Sequence, residues 1–394
     1  MSLPNQSNDG HSQKQTKIAG DTRATGLASR RNVLKAVGTT GTAAFLSSVV
    51  ASGDDSESSS GDTITVESTP ETVDWGAYDP EHDPVAEVDP GDTVIIETVT
   101  IPQPNHRQFL LDEGVAEEDI LENEVLIGEE VEFEGPGPHV NTGPVHINGA
   151  EPGDVLEVKI KDIEIRAPYG INIFRPGMGA LPEEFPMADT AVIPLDLENQ
   201  VAKYVNDIEI PLEPFFGIMA TAPAPESGRV STRPPDYFGG NMDIPLFTAG
   251  TSLYLPVHAE GGRFYTCDGH SAQGNGEVNL TAIETSLTGT FEFEVHKDTP
   301  HLEWPVAETE DAYVVVGLNE DLNDTMDHCV REAIGFLVNQ LDLEPSEAYR
   351  LCSIAVDFNV SQVVNGNQGI HGVIPKELFA EDYEIDPEAL ENAF

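Results

Sequence analysis

Glycine and proline interrupt this chain so often that long unbroken elements are confined to a few stretches. Its 394 residues include 35 Gly and 29 Pro, most of them beyond the first fifty or so positions. Glycine admits left-handed backbone, while proline fixes φ and removes a donor, so both end regular elements and build turns. Between them lie short apolar or alternating runs at 93–99, 155–165, 191–195, 252–257 and 290–295. Short strands at this turn density predict β-sandwich or barrel layers, mainly β within an α+β whole. Gly149-Ala150-Glu151-Pro152-Gly153-Asp154 opens the run at 155, and Pro90-Gly91-Asp92 opens the one at 93 with similar chemistry.

Helical periodicity emerges clearly only late. Met326, Cys329, Val330, Ala333, Ile334, Leu337 and Val338 follow an amphipathic stripe, with Asn323 or Asp324 as the expected N-cap. Ala348, Leu351, Cys352 and Ala355 form a second stripe after Pro345-Ser346-Glu347, with Ser346 as its expected cap. A C-terminal helical hairpin around 323–356 follows, then an alternating strand over 357–364 that turns at Asn365-Gly366. Cys329 and Cys352 fall on apolar faces and read as core thiols. With Cys267 they make three cysteines, too few and too scattered for a disulfide framework.

Charge limits the partners. The chain carries 70 acidic and 19 basic residues, a formal net charge of −51. Residues 1–36 hold six basic and two acidic residues, which leaves a net of −55 for the remainder. Such a body is a poor partner for nucleic acid or anionic membranes, since phosphate neutralisation needs clustered Lys and Arg. Disorder is the alternative explanation of the acidity. The spread of Val, Ile, Leu and Phe and a mean hydropathy of −0.25 argue instead for a folded protein adapted to molar salt.

The N-terminus reads as an address. Ser29-Arg30-Arg31-Asn32-Val33-Leu34-Lys35 resembles a twin-arginine signal, followed by a weakly apolar run at 36–51 that is too short for a stable membrane anchor. Export to the extracellular or cell-surface side is expected, with a signal region over 1–52, cleavage near Val50-Ala51-Ser52 and an acidic Ser-rich linker over 53–63. Residues 64–394 are expected to form the main folded region, mostly β with helices around 323–356.

The densest polar constellation is Cys267-Asp268-Gly269-His270-Ser271-Ala272-Gln273-Gly274-Asn275-Gly276-Glu277. In an extended segment Asp268 and His270 share a face, half of a divalent metal site. The glycines let Gln273 and Glu277 return to the same pocket, with Glu277 as a further ligand or as general base on a bound water. The plainer reading is a Gly-rich turn held by Asp and His hydrogen bonds. Asn241 and Asp243 in Gly239-Gly240-Asn241-Met242-Asp243 share a face if extended, although an Asx-rich turn is the stronger reading of that string in isolation. His139 and His371 stand in smaller polar strings and read most simply as structural histidines. A Cys267–His270 pair could be nucleophilic.

Several of these strings, in order, resemble the acetamidase/formamidase family. They are Thr142-Gly143-Pro144 with 149–154, Pro176-Gly177-Met178-Gly179-Ala180-Leu181, Gly239-Gly240-Asn241-Met242-Asp243 and Leu253-Tyr254-Leu255-Pro256-Val257. Asp268-Gly269-His270 through Glu277, Thr281-Ala282-Ile283-Glu284, and Gln362-Val363-Val364-Asn365-Gly366 with His371 and Ile374-Pro375-Lys376 continue the series, over roughly 65–380. The signal and acidity suggest a haloarchaeal-type member. The resemblance implies hydrolysis of formamide or acetamide to ammonia and a carboxylate by a β-rich homo-oligomer, dimer or tetramer. It also implies a divalent ion, zinc first, with calcium as a structural alternative.

The resemblance places Asp268, His270 and Glu277 in the catalytic and metal site, with His139 as a further metal ligand. It places Asn241, Asp243, Gln273 and His371 around a small neutral amide, Asn241 and Gln273 holding the amide or its oxyanion. Cys267 stands where the family often has Gly, which argues against a cysteine nucleophile. His139-Val140-Asn141, Asn275 and Asn279-Leu280 also depart from the family pattern. A γ-lactam or longer-amide hydrolase, or an exported amide-binding protein without catalysis, are the alternatives.

Overall fold

The computed structural model describes residues 61–133, 135–297, 302–379 and 385–389. The twin-arginine string, the apolar run after it and most of the acidic linker (53–60) lie outside the described residues. The expected runs become strands, among them Thr93–Glu97, Val155–Ile165, Asp189–Asp196, Ser252–Pro256 and Leu287–His296.

The first of two large sheets has nine strands. Its order runs Thr63–Val66, Thr93–Glu97, Leu287–His296, Val155–Ile165, Ser252–Pro256, Val306–Glu308, Ala312–Asn319, Gln368–Pro375 and Asp357–Gln362. Side chains alternate across it. Val314, Val316 and Leu318 enter one core, while Tyr313 and Val315 enter another beneath the C-terminal helices. Covered on both faces, Ala312–Asn319 reads as an apolar run rather than an alternation.

The second sheet has eleven strands, with Phe264–Ala272 in its interior between Phe215–Ala220, Ile283–Glu284 and Val140–Ile147. All nine residues of Phe264–Ala272 are buried. Leu156, Val158, Leu255, Phe291 and Phe293 of the first sheet pack on Val145, Phe216, Met219 and Phe264 of the second. The Phe264 ring lies 5.6 and 5.1 Å from those of Phe291 and Phe293, closing the sandwich with edge-on aromatic contacts.

Helices Leu322–Leu341 and Pro345–Ala355 cover the outer face of the first sheet, burying Cys329, Ala333, Leu337, Ala348 and Cys352 against Tyr313, Val315 and Ile370. Their caps differ from expectation. Asp321, not Asn323 or Asp324, caps the first helix, its carboxylate accepting from both of their backbone N–H groups. Glu344 rather than Ser346 caps the second, because Pro345 occupies the first helical position and Glu347 completes a capping box with Glu344.

Helices His106–Asp112 and Glu122–Glu130 had no sequence signature. Instead of a long apolar stripe, a buried carboxylate ties them down: Glu124 accepts from Tyr169 Oη at 2.6 Å and meets His106 Nε2 at 2.8 Å. Ser286 donates to its other oxygen.

Candidate active site

The site forms where the interior strand of the second sheet breaks its own alternation. Cys267 packs outward with Tyr265, whereas a side chain at Gly269 would point at Leu287 of the inter-sheet core. In a regular strand residues two apart share a face. The break lies at Asp268, whose φ is +57°. It turns Asp268 and His270 to the outward side of the sheet, so the expected pair does form, by a kinked route. Asp243 and Glu277 are also left-handed, at φ +49° and +42°. Non-glycine residues persist there only when their surroundings hold them, and such strain concentrates at functional sites.

The outward face collects groups from distant parts of the chain. His270 Nε2 lies 3.5 Å from Asp268 Oδ2 and 3.3 Å from Glu284 Oε2, and His270 Nδ1 lies 4.0 Å from Asp243 Oδ1. Cross-strand register delivers Glu284, paired directly opposite His270. Asp243, Asp268 and His270 each offer an atom within 4.8 Å of the others, and so do His270, Glu277 and Glu284. Gly217 forms the floor, where an added Cβ would stand 2.3 Å from Asp243 Oδ1 and 2.7 Å from Asp268 Oδ2.

Burying four carboxylates together separates their proton affinities. Burial and the neighbouring Asp268 push Asp243 up to about 7. Burial likewise pushes Glu284 up to about 7 against the opposing pull of His270. Burial and Asp243 raise Glu277 well above the usual range. Burial would raise Asp268 too, but His139 and His270 outweigh it and hold Asp268 below the usual carboxylate range. Burial would also lower His270, and Glu284 with Asp268 overcomes this and raises it.

These residues suit a divalent cation. Asp243 Oδ1 and both ring nitrogens of His270 are buried without a hydrogen-bond partner. Carboxylate and imidazole donors that converge without satisfying one another are the ligand set of zinc and similar ions. His139 belongs to neither ligand group; its Nε2 faces Asp268 Oδ1 at 3.8 Å, and its Nδ1 meets Thr232 Oγ1 at 3.1 Å.

The remaining expected residues surround this cluster. Gln273 Nε2 donates to the Asp243 and Ser361 carbonyls at 2.9 and 3.2 Å, and Asn241 Nδ2 donates to the Arg233 carbonyl at 3.0 Å. Their amide oxygens remain buried and unpartnered. Both vacant atoms are acceptors, so they suit the N–H groups of an amide rather than an oxyanion. His371 Nδ1 meets Ser361 Oγ at 2.8 Å, on the residue whose carbonyl accepts from Gln273, and burial lowers His371 to about 4. Cys267 donates to Asn141 Oδ1 at 2.8 Å, and burial pushes its thiol well above the ordinary value, the opposite of an activated nucleophile.

Sequence reasoning missed Glu284, Asn365, Gly217 and Tyr78. Glu284 and Asn365 belong to strings that resemble the family but carry no local metal-ligand spacing. Asn365 Nδ2 reaches Asp243 Oδ2 at 2.5 Å. The buried Tyr78 hydroxyl is unpartnered and close enough to Asp268 and Asp243 to be raised by their charge after burial itself.

Two cavities flank the cluster. One of about 520 Å³ is lined by Gln273, Glu277 and Asn279. The other, about 330 Å³, is lined by His139, Asn365, Arg175 and Arg233 with an apolar wall that includes Trp75 and Met178. Both sizes fall within the range of small-molecule sites.

A model of the Acetamidase/Formamidase family matches residues 66–229 and 226–381. An acetamidase of Mycolicibacterium smegmatis is 27% identical over 205 residues, covering 37% of this chain and 50% of that protein. A formamidase of Methylophilus methylotrophus is 28% identical over 203 residues, covering 37% and 49%. The chain thus spans about half the length of the curated relatives it matches. The crystal structure of an acetamidase from Yersinia enterocolitica superposes with a TM-score of 0.68 at 27% identity, covering 82% of this chain and 95% of that one.

Proposed function

The chain belongs to the acetamidase/formamidase family, and on that premise we propose that it hydrolyses the C–N bond of small aliphatic amides to ammonia and a carboxylate. The observation that carries this reading is the set of buried carboxylates around His270, in which Asp268 is held ionised while Asp243, Glu277 and Glu284 are raised. Neighbouring carboxyls with separated proton affinities are what acid–base chemistry near neutral pH requires.

Asp243, Asp268 and His270 would hold a divalent ion, zinc first. When bound, such an ion polarises the amide carbonyl and acidifies a water. Glu277 opens onto the larger cavity and takes the proton of the attacking water. It returns that proton to the nitrogen as the C–N bond breaks, leaving the hydroxyl on the carbonyl carbon. Gln273, fixed by two donated hydrogen bonds, presents its oxygen to the amide N–H groups. Asn365 holds Asp243 in place and faces the smaller cavity, on the side left for the acyl group.

The N-terminal twin-arginine string supports export of the folded chain, and the acidic body supports work in concentrated salt. The experiment is ammonia release from formamide, acetamide and longer amides by purified protein in high salt, before and after chelation. Release abolished by chelation and restored by zinc is expected. No ammonia from any amide with zinc present would overturn the reading.

A further inference from the structure

The smaller cavity breaks the chemical character of the rest of the molecule. Among the described residues lining it there is no Asp or Glu, in a chain that has 70, and there are two arginines, Arg175 and Arg233. Of the 13 basic residues beyond residue 36, nine stand within 4.0 Å of a carboxylate: Arg107, Lys159, Lys161, Arg166, Lys203, Arg229, Lys297, Arg331 and Lys376. Arg263 donates to the His82 carbonyl, and Arg350 is exposed on the last helix. Among the described residues, Arg175 and Arg233 are the two basic side chains that face a common cavity with no carboxylate paired to them. In so acidic a body, a guanidinium kept clear of carboxylates has its charge available to a ligand.

Three links join the cavity wall to the cluster around His270. His139 in its wall faces Asp268, Asn365 bonds Asp243, and the Arg233 carbonyl is held by Asn241, two residues before Asp243. Arg233 is half-buried and close enough to His139 for its charge to lower that imidazole, after burial and the other neighbours. Arg175 is exposed. At about 330 Å³ the space would hold roughly ten water-sized groups at ~30 Å³ each. Formamide has three heavy atoms and no charge, so it uses neither the volume nor the arginines.

We propose that Arg175 and Arg233 form a carboxylate subsite, so that the amide this site prefers carries a carboxylate at its far end, as in the mono-amides of short dicarboxylic acids. The inference rests on the amidase reading and names its substrate class. Guanidinium groups pair with carboxylates through charge-assisted, often bidentate hydrogen bonds, and the apolar wall suits the methylene chain between the two ends. The same carboxylate chemistry could come instead from the product of a neutral amide.

The test compares kcat/KM, at fixed high salt, for mono-amides of four- to six-carbon dicarboxylic acids against neutral amides of equal length. Alongside it runs calorimetric binding of succinate and butyrate to the same zinc-loaded protein. The wild type should prefer a carboxylated amide by about tenfold or more, the range of a hydrogen bond to a charged group. Arg233→Gln should bring that ratio toward one and weaken succinate binding, with a smaller change for the exposed Arg175→Gln. If the carboxylate comes from the product, the preference is absent, but butyrate binds and its binding weakens in Arg233→Gln; this overturns the substrate assignment and keeps the subsite. Equal kcat/KM for both amide classes, with carboxylate binding absent or unchanged in both variants, overturns the proposal. Succinate binding that depends on Arg233 without turnover of any amide would defeat the amidase reading and leave the subsite standing.

Discussion

Gly217 lies against Asp268 so closely that a single added methyl group would stand 2.7 Å from the Asp268 carboxylate. The same methyl would come within 2.3 Å of Asp243 Oδ1 and 2.9 Å of the His270 ring. Three groups of the site thus rest on one missing side chain. Gly217→Ala is expected to lower kcat/KM about 100-fold, the scale of an ångström misplacement, while changing the melting temperature by only a few degrees. Full activity in this variant would show that the cluster is not the reaction centre.

Glu277→Gln should reduce kcat by roughly 10²–10⁴-fold, the usual worth of a positioned general base. Without an ion, burial and Asp243 delay the basic form of Glu277 until pH rises above the ordinary carboxylate range, and a bound cation moves that limb to lower pH without removing it. Wild-type kcat/KM should therefore climb with pH along an acid limb that the Gln variant lacks. A pH–rate profile of both proteins checks this, and identical limbs would assign the base elsewhere.

Asp243 and Glu284 stand near 7 against ordinary values of 3.8 and 4.5. A carboxyl raised by folding binds its proton more tightly folded than unfolded. Its stabilising contribution is present below pH ~4 and is lost as pH rises through about 7. Asp268 has the opposite sign and loses its contribution only in strong acid. The metal-free protein should therefore melt lower at pH 8 than at pH 5. Zinc, which favours ionised ligands, should raise the melting temperature more at pH 8. Calorimetry after chelation, with and without added zinc, reads both effects, and a melt indifferent to zinc at pH 8 would remove the ion from this site.

Cys267→Ala should keep activity within a few-fold of wild type and cost about 1–2 kcal/mol of stability, because the thiol is buried and bonded to Asn141 rather than exposed as a thiolate. Alkylating reagents should leave the native protein as active as the untreated one. A hundredfold loss in the alanine variant with intact folding would restore the cysteine to the chemistry.

A formal net charge of −51 makes self-repulsion a dominant unfavourable term in dilute buffer. The melting temperature should rise steeply between about 0.05 M and 1 M salt, as the Debye length shrinks from roughly 14 Å toward ~3 Å. A sharp transition unchanged across that range would separate the acidity from salt adaptation.

What was legible in the sequence was local. Turn residues around short apolar runs marked the strands, and a 3.6-residue stripe marked the helix Leu322–Leu341. Both are nearest-neighbour patterns, set by backbone sterics and by the side of an element that must be buried. Helices His106–Asp112 and Glu122–Glu130 escaped because a buried Glu124, bonded across the fold to Tyr169 and Ser286, holds them in place of a clear apolar stripe.

The candidate site divides in the same way. Asp268, His270 and Glu277 lie within ten residues of one another and were visible as a string. The strand-rich class, the helical hairpin and that string all follow from local pattern. Packing of the sheets is what sets Glu284 opposite His270, brings Asn365 to Asp243, and lets the left-handed turn at Asp268 carry the cluster outward, away from the apolar core. The difference is one of range. Periodicity records which side of one strand is buried, whereas cross-strand register and a reversal of face arise when strands far apart in the chain pack together, and no local pattern encodes that pairing.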